Sequence, residues 1–275
     1  MTIDSWIHTA TQLLKTSGIL TARLDAEIIL AHTIKKSRTY LHAHGDTPLD
    51  ERTQEIANAR IDLRRDRTPV AYIVGHKEFY GRLFKVTPAT LIPRPESETI
   101  ITLLTELFPA GVAFLQTTPK YLIDIGTGSG CLGITAKLEF PELEVTLSDI
   151  SRHALQVAAK NASELHAEVT LQQGDLLDGY PFDPDIIIAN LPYVDTSWER
   201  SPETASEPAE ALFADDGGLA LIKKLIDQAV SRMHSGGLIF LEADPRQHSA
   251  IISYAKKHGF ALRERRDFIV VIEKL

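Results

Sequence analysis

The 275-residue sequence contains one cysteine, Cys131. That excludes an intramolecular disulfide framework and a cysteine-rich zinc site, and it fits a reducing compartment. Long apolar runs are also missing. Stretches such as Ile186–Ala189 fall far short of the roughly 18–20 residues that cross a bilayer. The first residues lack the basic head and apolar stretch of a secretory signal. Cations are in deficit, 29 Lys and Arg against 37 Asp and Glu for a formal charge of −8. This argues against a broad phosphate-binding surface while leaving a local basic patch open. There is no internal repeat and no low-complexity tract. With 44% apolar and 24% charged residues, a globular cytoplasmic chain with ample core is expected. Its length suits one ordinary domain and a smaller partner.

Residues 1–67 read as a small all-α bundle. Trp6, Ile7, Ala10, Leu13 and Leu14 form one helical face, and Gly18 is placed to stop that helix. Leu24, Ile28, Ala31 and Ile34 suggest a second helix. A third begins with Asp50 as N-cap after Pro48 and carries Ile56, Ile61 and Leu63 towards Arg67. The pattern changes at Thr68-Pro69. The stretches 77–80 and 83–87, rich in aromatic and β-branched residues, flank Gly81-Arg82 and predict a hairpin. Two prolines keep Leu91-Ile92-Pro93-Arg94-Pro95 extended, so 68–95 is expected to be a hairpin and linker.

The stretch 96–275 is expected to form the larger domain. A helix is predicted over 96–108, then strands and helices alternate. Strands are predicted over 121–125, 144–147, 168–172, 185–189, 238–241 and 268–273, with helices over 131–140, 151–166, 219–233 and 247–257. Such alternation predicts an α/β fold with a mainly parallel, doubly wound sheet. Its ligand should lie beyond the carboxyl ends of the strands.

Between the first strand and its helix runs Gly126-Thr127-Gly128-Ser129-Gly130. Glycines there allow positive φ and let a ligand approach the backbone, and the helix N-terminus behind them favours anions. Gly128, Gly130 and Gly133 also satisfy the dinucleotide pattern G-x-G-x-x-G, which alone is weak. Asp149 ends the second strand, where an acid commonly accepts ribose hydroxyls; capping the next helix is its alternative role. Asp175, after the third strand, could meet an adenine edge or be a turn residue. These features leave nicotinamide and adenosyl cofactors both open.

Asn190-Leu191-Pro192-Tyr193 follows the fourth strand. The set resembles the Asn-Pro-Pro-Tyr signature of S-adenosylmethionine-dependent methyltransferases acting on planar amino groups. The glycine loop, Asp149 and Asp175 match the cofactor motifs of that superfamily. A planar amide nitrogen is a poor nucleophile, because its lone pair is delocalised. Two acceptors, the Asn190 side-chain oxygen and the Leu191 carbonyl, can turn lone-pair density towards a methyl donor and favour the charge that develops. Pro192 fixes the loop, and Tyr193 offers a flat face. Leu191 departs from the signature, and Asn-Leu-Pro-Tyr also occurs in enzymes that dimethylate adenines of ribosomal RNA.

The segments Pro69–Gly75, Glu78-Phe79-Tyr80-Gly81, Leu91–Glu98, Glu207-Pro208 with Ala211-Leu212-Phe213, and Asp216–Leu219 narrow the resemblance. The chain resembles, over nearly its whole length, the protein-(glutamine-N5) methyltransferases of peptide chain release factors, the HemK/PrmC-like family. The resemblance implies a Rossmann-like class I methyltransferase domain with a mainly parallel seven-stranded sheet, preceded by a helical domain that docks the substrate. It implies S-adenosylmethionine as cofactor, held by Gly126, Thr127, Gly128, Ser129, Gly130, Asp149, Asp175, Leu176 and Asn190. Asn190, Leu191, Pro192 and Tyr193 would be catalytic and grip the substrate, the glutamine of the Gly-Gly-Gln loop in class I release factors. Leu176 replaces the family's usual aromatic residue. Glu242-Ala243-Asp244-Pro245 departs from its Glu-Ile-Gly-type segment, a change expected to leave the reacting groups untouched.

The alternatives are an adenine or cytosine amino-methyltransferase, a nicotinamide oxidoreductase, and a module that binds S-adenosylmethionine without chemistry. The acidic balance counts against stable nucleic-acid binding, and the protein is expected to be a monomer without a metal. His42-Ala43-His44 with Asp46 reads as surface polar residues of a loop. Arg60, Arg64, Arg65 and Arg67 read as a solvated helix end favoured by the macrodipole, with a docking surface as the alternative. Cys131 reads as a small packed residue.

Overall fold

The computed structural model describes residues 1–108, 121–199 and 201–275. The chain divides into two units, Met1–His76 with Ser201–Ser206, and Lys77–Arg200 with Glu207–Leu275.

In the first unit, α1 (Ile3–Thr16) starts at a capping box: Thr2 and Ser5 each accept the other's backbone N–H through their hydroxyls. Its Trp6, Ala10 and Leu14 share a core with Ala26, Ile29 and Leu30 of α2 (Ala22–Ile34), Leu41 of α3 (Arg38–Ala43) and Ile61 of α4 (Glu51–Arg65). Trp6 Nε1 donates to Asn58 Oδ1 at 2.8 Å, tying α1 to α4. Asp50 caps α4, accepting the Thr53 N–H at 2.8 Å. A short α5 (Val70–Val74) follows and ends at Gly75.

Leu13, Leu24, Ile56 and Leu63, expected on buried faces, are each at least 40% exposed. The buried stripes instead include charges, Asp25 on α2 and Arg64 on α4. Arg64 donates to Asp25 Oδ2 at 2.8 Å and to Glu203 Oε1 at 3.1 Å, and Arg67 reaches the same Glu203 oxygen at 3.4 Å. Arg64 is therefore part of a buried ion-pair cluster and not a solvated helix end. Hydrophobic periodicity is blind to charges whose partners arrive from distant segments. His42 lies in α3, not in a loop, because that helix is too short to register a period. Among the described residues, no three His, Cys, Asp or Glu side chains gather as a metal site.

In the second unit, β1 (His76–Phe79) and β2 (Arg82–Lys85) form the hairpin. Tyr80 and Gly81 have φ of 51° and 73°, the left-handed pair that a two-residue turn requires. The turn thus falls one residue earlier than Gly81-Arg82. A 3-10 turn, Pro95–Ser97, leads into α6 (Glu98–Leu107). The sheet comprises β3 (Tyr121–Ile125), β4 (Glu144–Asp149), β5 (Thr170–Gln173), β6 (Ile186–Ala189), β7 (Leu238–Glu242), β8 (Phe260–Arg266) and β9 (Ile269–Lys274), in the order β5-β4-β3-β6-β7-β9-β8. The first five are parallel, and β9 runs antiparallel to β7 and β8. This is the mainly parallel seven-stranded sheet expected.

Helices α7 (Cys131–Glu139) and α8 (Arg152–Glu164) join α6 on one face, where Ile100, Ile134 and Ala158 meet Leu122, Leu147 and Ile188. On the other, Leu225 and Ile226 of α10 (Ala220–Arg232) and Ile251 of α11 (His248–Lys257) meet Ile123, Ile187 and Ile239. A single turn, α9 (Asp215–Gly218), precedes α10. The strand β8 had no apolar signature. It is one edge of the sheet and carries Arg263, Glu264, Arg265 and Arg266, charges that discourage pairing with another chain.

Candidate active site

The sheet order reverses between β3 and β6, where Ile125 pairs with Ala189. The glycine loop and Asn190–Tyr193 therefore leave neighbouring strands side by side, at the switch point where such sheets bind ligands. Gly126, Gly128 and Gly130 all have positive φ. A Cβ on Gly133 would stand 2.3 Å from Leu147 Cδ2, so the last glycine of G-x-G-x-x-G serves close helix–strand contact.

Two residues that the motif reading passed over brace this loop. Asp124 Oδ2 accepts the Thr127 hydroxyl at 2.6 Å and the Gly133 N–H at 2.8 Å. Burial pushes its carboxyl up to about 6 despite those bonds. Asn161, inside α8, donates to the Ser129 carbonyl at 2.8 Å and pairs with both backbone groups of Lys85, at 2.7 and 3.0 Å. An acid directly ahead of a glycine loop is a visible signal, whereas a mid-helix Asn carries none.

Asp149 accepts the Gly128 N–H at 2.9 Å and the Ser151 N–H at 2.8 Å, one on each carboxylate oxygen. Ser151 itself caps α8, so Asp149 joins the glycine loop to the chain leaving β4. Burial raises its pKa above the usual carboxylate range. Asp175 is half exposed and its carboxylate is taken by Lys224 of α10. Leu176 is buried at φ 58°, a left-handed conformation that costs a bulky residue about 1–2 kcal/mol.

At the other loop, Asn190 Nδ2 donates to Ser97 Oγ at 3.1 Å. Ser97 Oγ donates to Glu242 Oε2 at 2.5 Å, and the Tyr193 hydroxyl donates to Glu242 Oε1 at 3.2 Å. Ser97 and Glu242 are both almost fully buried, and burial raises the pKa of Glu242 and of Tyr193. The Leu191 side chain lies 3.2 Å from where a Gly126 Cβ would stand. The chain after β7 packs against the reacting loop through Gln247. Gln247 accepts the Asp244 N–H at 3.0 Å and donates to the Tyr193 carbonyl at 2.8 Å.

Between the loops lies a cavity of about 1070 Å³, including its solvent-open part. Gly126, Thr127, Gly128, Ser129, Asp149, Asp175 and Leu176 line one side, and Asn190, Leu191, Pro192, Ser97 and Arg94 also border it. Gly130 and Tyr193, also expected at the site, are not among the residues that line it. The residues fit an adenosyl-type ligand. No atom lies closer than 4.0 Å to the place of a Gly128 Cβ, so the backbone there is open to close approach. The buried Ser129 hydroxyl has no partner beyond the Cys131 thiol beside it, and Asp149 keeps lone pairs for ligand hydroxyls.

Comparison with known proteins narrows the class. The methyltransferase small domain family matches residues 103–219, and the PrmC N-terminal domain family matches residues 5–75. The solved 16S rRNA N2 G1207 methyltransferase of T. thermophilus, in complex with AdoMet and guanosine, is similar at TM-score 0.54. The identity is 17%, over 73% of this chain and 50% of that one. A methyltransferase from Pyrococcus furiosus gives TM-score 0.52 at 17% identity, over 79% and 97% of the two chains. Fold and site define a Rossmann-like methyltransferase. The sequence relatives are more specific. The release factor glutamine methyltransferase of Koribacter versatilis is 36% identical over 257 residues, 89% of each chain. That of Salmonella typhimurium is 33% identical over 267 residues, 95% of this chain and 92% of its own. The Escherichia coli protein is 33% identical over 261 residues, 91% and 89%. The chain belongs to the release factor glutamine methyltransferase family.

Proposed function

We propose that the protein transfers a methyl group from S-adenosylmethionine to the side-chain amide nitrogen of a glutamine, the one in the Gly-Gly-Gln motif of class I peptide chain release factors. The observation that carries this reading is the orientation of Asn190. Its –NH2 is tied to Ser97, which leaves Oδ1 as an acceptor beside the glycine-loop cavity. Supporting it are the names of the relatives, which act on release factor glutamine.

In this reading Gly126, Thr127, Gly128, Ser129, Asp149, Asp175 and Leu176 hold the cofactor side of the cavity, and Gly130 shapes the loop without lining it. When bound, S-adenosylmethionine supplies an electrophilic sulfonium methyl. Asn190 Oδ1 and the Leu191 carbonyl accept the two N–H bonds of the glutamine amide. That turns its nitrogen lone pair out of conjugation and favours the positive charge that develops there. Pro192 holds the direction of the loop, and Tyr193, anchored through Glu242, supports that loop without lining the cavity. No strong base is needed, since the product nitrogen can lose its proton to water. Positioning supplies most of the rate. The helical unit docks the release factor, and the enzyme works as a cytoplasmic monomer without stable nucleic-acid binding.

The test is transfer of labelled methyl to a purified, unmethylated release factor, with its Gly-Gly-Gln→Gly-Gly-Ala version alongside. Label on the first alone is expected. Label on RNA or DNA and none on either protein would move the substrate to a nucleobase. Asn190→Ala should reduce transfer by roughly a hundredfold or more with its fold unchanged by circular dichroism.

A further inference from the structure

Ser97 and Glu242 are not among the residues expected at the site from the sequence, yet both are buried and bonded to the reacting loop. An ionised carboxylate only accepts hydrogen bonds. Glu242 therefore compels Ser97 Oγ to donate its one hydrogen to Oε2. With that hydrogen spent, Ser97 Oγ can only accept from Asn190, so the Asn190 amide turns its –NH2 inward, where Glu242 itself also attracts it. The Tyr193 hydroxyl donates to the other Glu242 oxygen, so the same carboxylate fixes both ends of Asn190–Tyr193.

We propose that Ser97 and Glu242 are positioning residues whose hydrogen-bond polarity, set by the Glu242 carboxylate, fixes which face of the Asn190 amide meets the acceptor nitrogen. The proposal rests on the glutamine-methyltransferase reading for its substrate, though not for its geometry. Protonated Glu242 can donate to Ser97, which frees the serine hydrogen for Asn190 Oδ1. The amide then turns over and presents –NH2 to the substrate –NH2, donor against donor. Transfer should therefore fall on the acid side. Glu96, Tyr193 and Cys131 face Glu242, while Arg94 and Asp244 face Tyr193 and His248 faces Asp244. Burial and Glu96 favour the neutral form of Glu242, while its bonds from Ser97, Tyr193 and Asn190 favour the charged form. The net direction is upward, which brings the loss of polarity towards the working range.

Two readouts test this. In Glu242→Gln an amide can turn either its oxygen or its –NH2 to Ser97, so polarity is no longer imposed. The expected result is a fall in kcat of roughly tenfold or more, an acid limb missing from the pH profile, and a Kd for S-adenosylmethionine within about threefold of wild type. Ser97→Ala should lose kcat similarly, and Ser97→Thr, which keeps the hydroxyl, should restore most of it. The second readout needs no substrate: the Asn190 side-chain –NH2 resonance of the free protein, assigned by its loss in Asn190→Asp. It should move with pH in wild type and stay still in Glu242→Gln. Wild-type kcat in both Glu242→Gln and Ser97→Ala, or an unchanged titration of that resonance in Glu242→Gln, would overturn the proposal. If wild type methylates no glutamine while the resonance behaves as expected, the substrate reading fails and the relay stands.

Discussion

Gly218 presses so closely on Tyr193 that a Cβ at this glycine would stand 1.9 Å from the Tyr193 carbonyl oxygen. It would also meet Gln247 Nε2 at 2.5 Å, the group that donates to the same carbonyl. Gly218 has φ 83° and follows Asp216 and Gly217, both left-handed too. The turn before α10 is thus shaped to support the reacting loop from behind.

Gly218→Ala should displace Tyr193 and lower methyl transfer by roughly tenfold to a hundredfold, the usual effect of moving a reacting group by about an ångström. Gly217→Ala is the control. Its Cβ would have Asp195 Oδ2 at 4.0 Å as nearest neighbour, so only the backbone cost of about 1 kcal/mol applies. Steady-state kinetics of the two variants decide the matter, and equal activity would remove the steric argument.

Asn161 holds the glycine loop and the hairpin together through three hydrogen bonds. Asn161→Ala should cost about 2–3 kcal/mol in urea unfolding, because a buried carbonyl on Ser129 loses its donor. Asn161→Asp should be worse at neutral pH. It keeps the bond from the Lys85 N–H but turns an oxygen towards two carbonyls. An Asp variant as stable as wild type would contradict this geometry.

Asp124 makes stability depend on pH in a definite direction. Its folded pKa, about 6, lies above the 3.8 of an ordinary aspartate. The stability it contributes is therefore complete below about pH 4 and is lost as pH rises through about 6, a swing of about 3 kcal/mol. Asp124→Asn retains an oxygen for Thr127 and Gly133 without the buried charge. Relative to wild type, the variant should gain stability between pH 4 and 7 in urea titrations. Parallel curves would mean that Asp124 is not desolvated.

The sheet was legible because its central parallel strands are buried on both faces, leaving apolar runs such as Ile186–Ala189 between helices of clear period. Asn190 and the glycine loop were legible because motifs at strand ends are local in sequence. What escaped notice depends on distant partners. Arg64 read as solvated because Asp25 and Glu203 lie far from it in the chain. Ser97 and Glu242 meet Asn190 only once the turn before α6 and the strand β7 are assembled around β6. The edge strand β8 hid because charges replace its apolar alternation.

The central claim is that a glutamine amide nitrogen receives the methyl group at Asn190. Tandem mass spectrometry of a release factor incubated with the enzyme and S-adenosylmethionine tests it most directly. The account predicts one methyl group on the side-chain nitrogen of the Gly-Gly-Gln glutamine, and none when Asn190→Ala replaces the wild-type enzyme. A methyl on another residue, or an undiminished yield from Asn190→Ala, would contradict it.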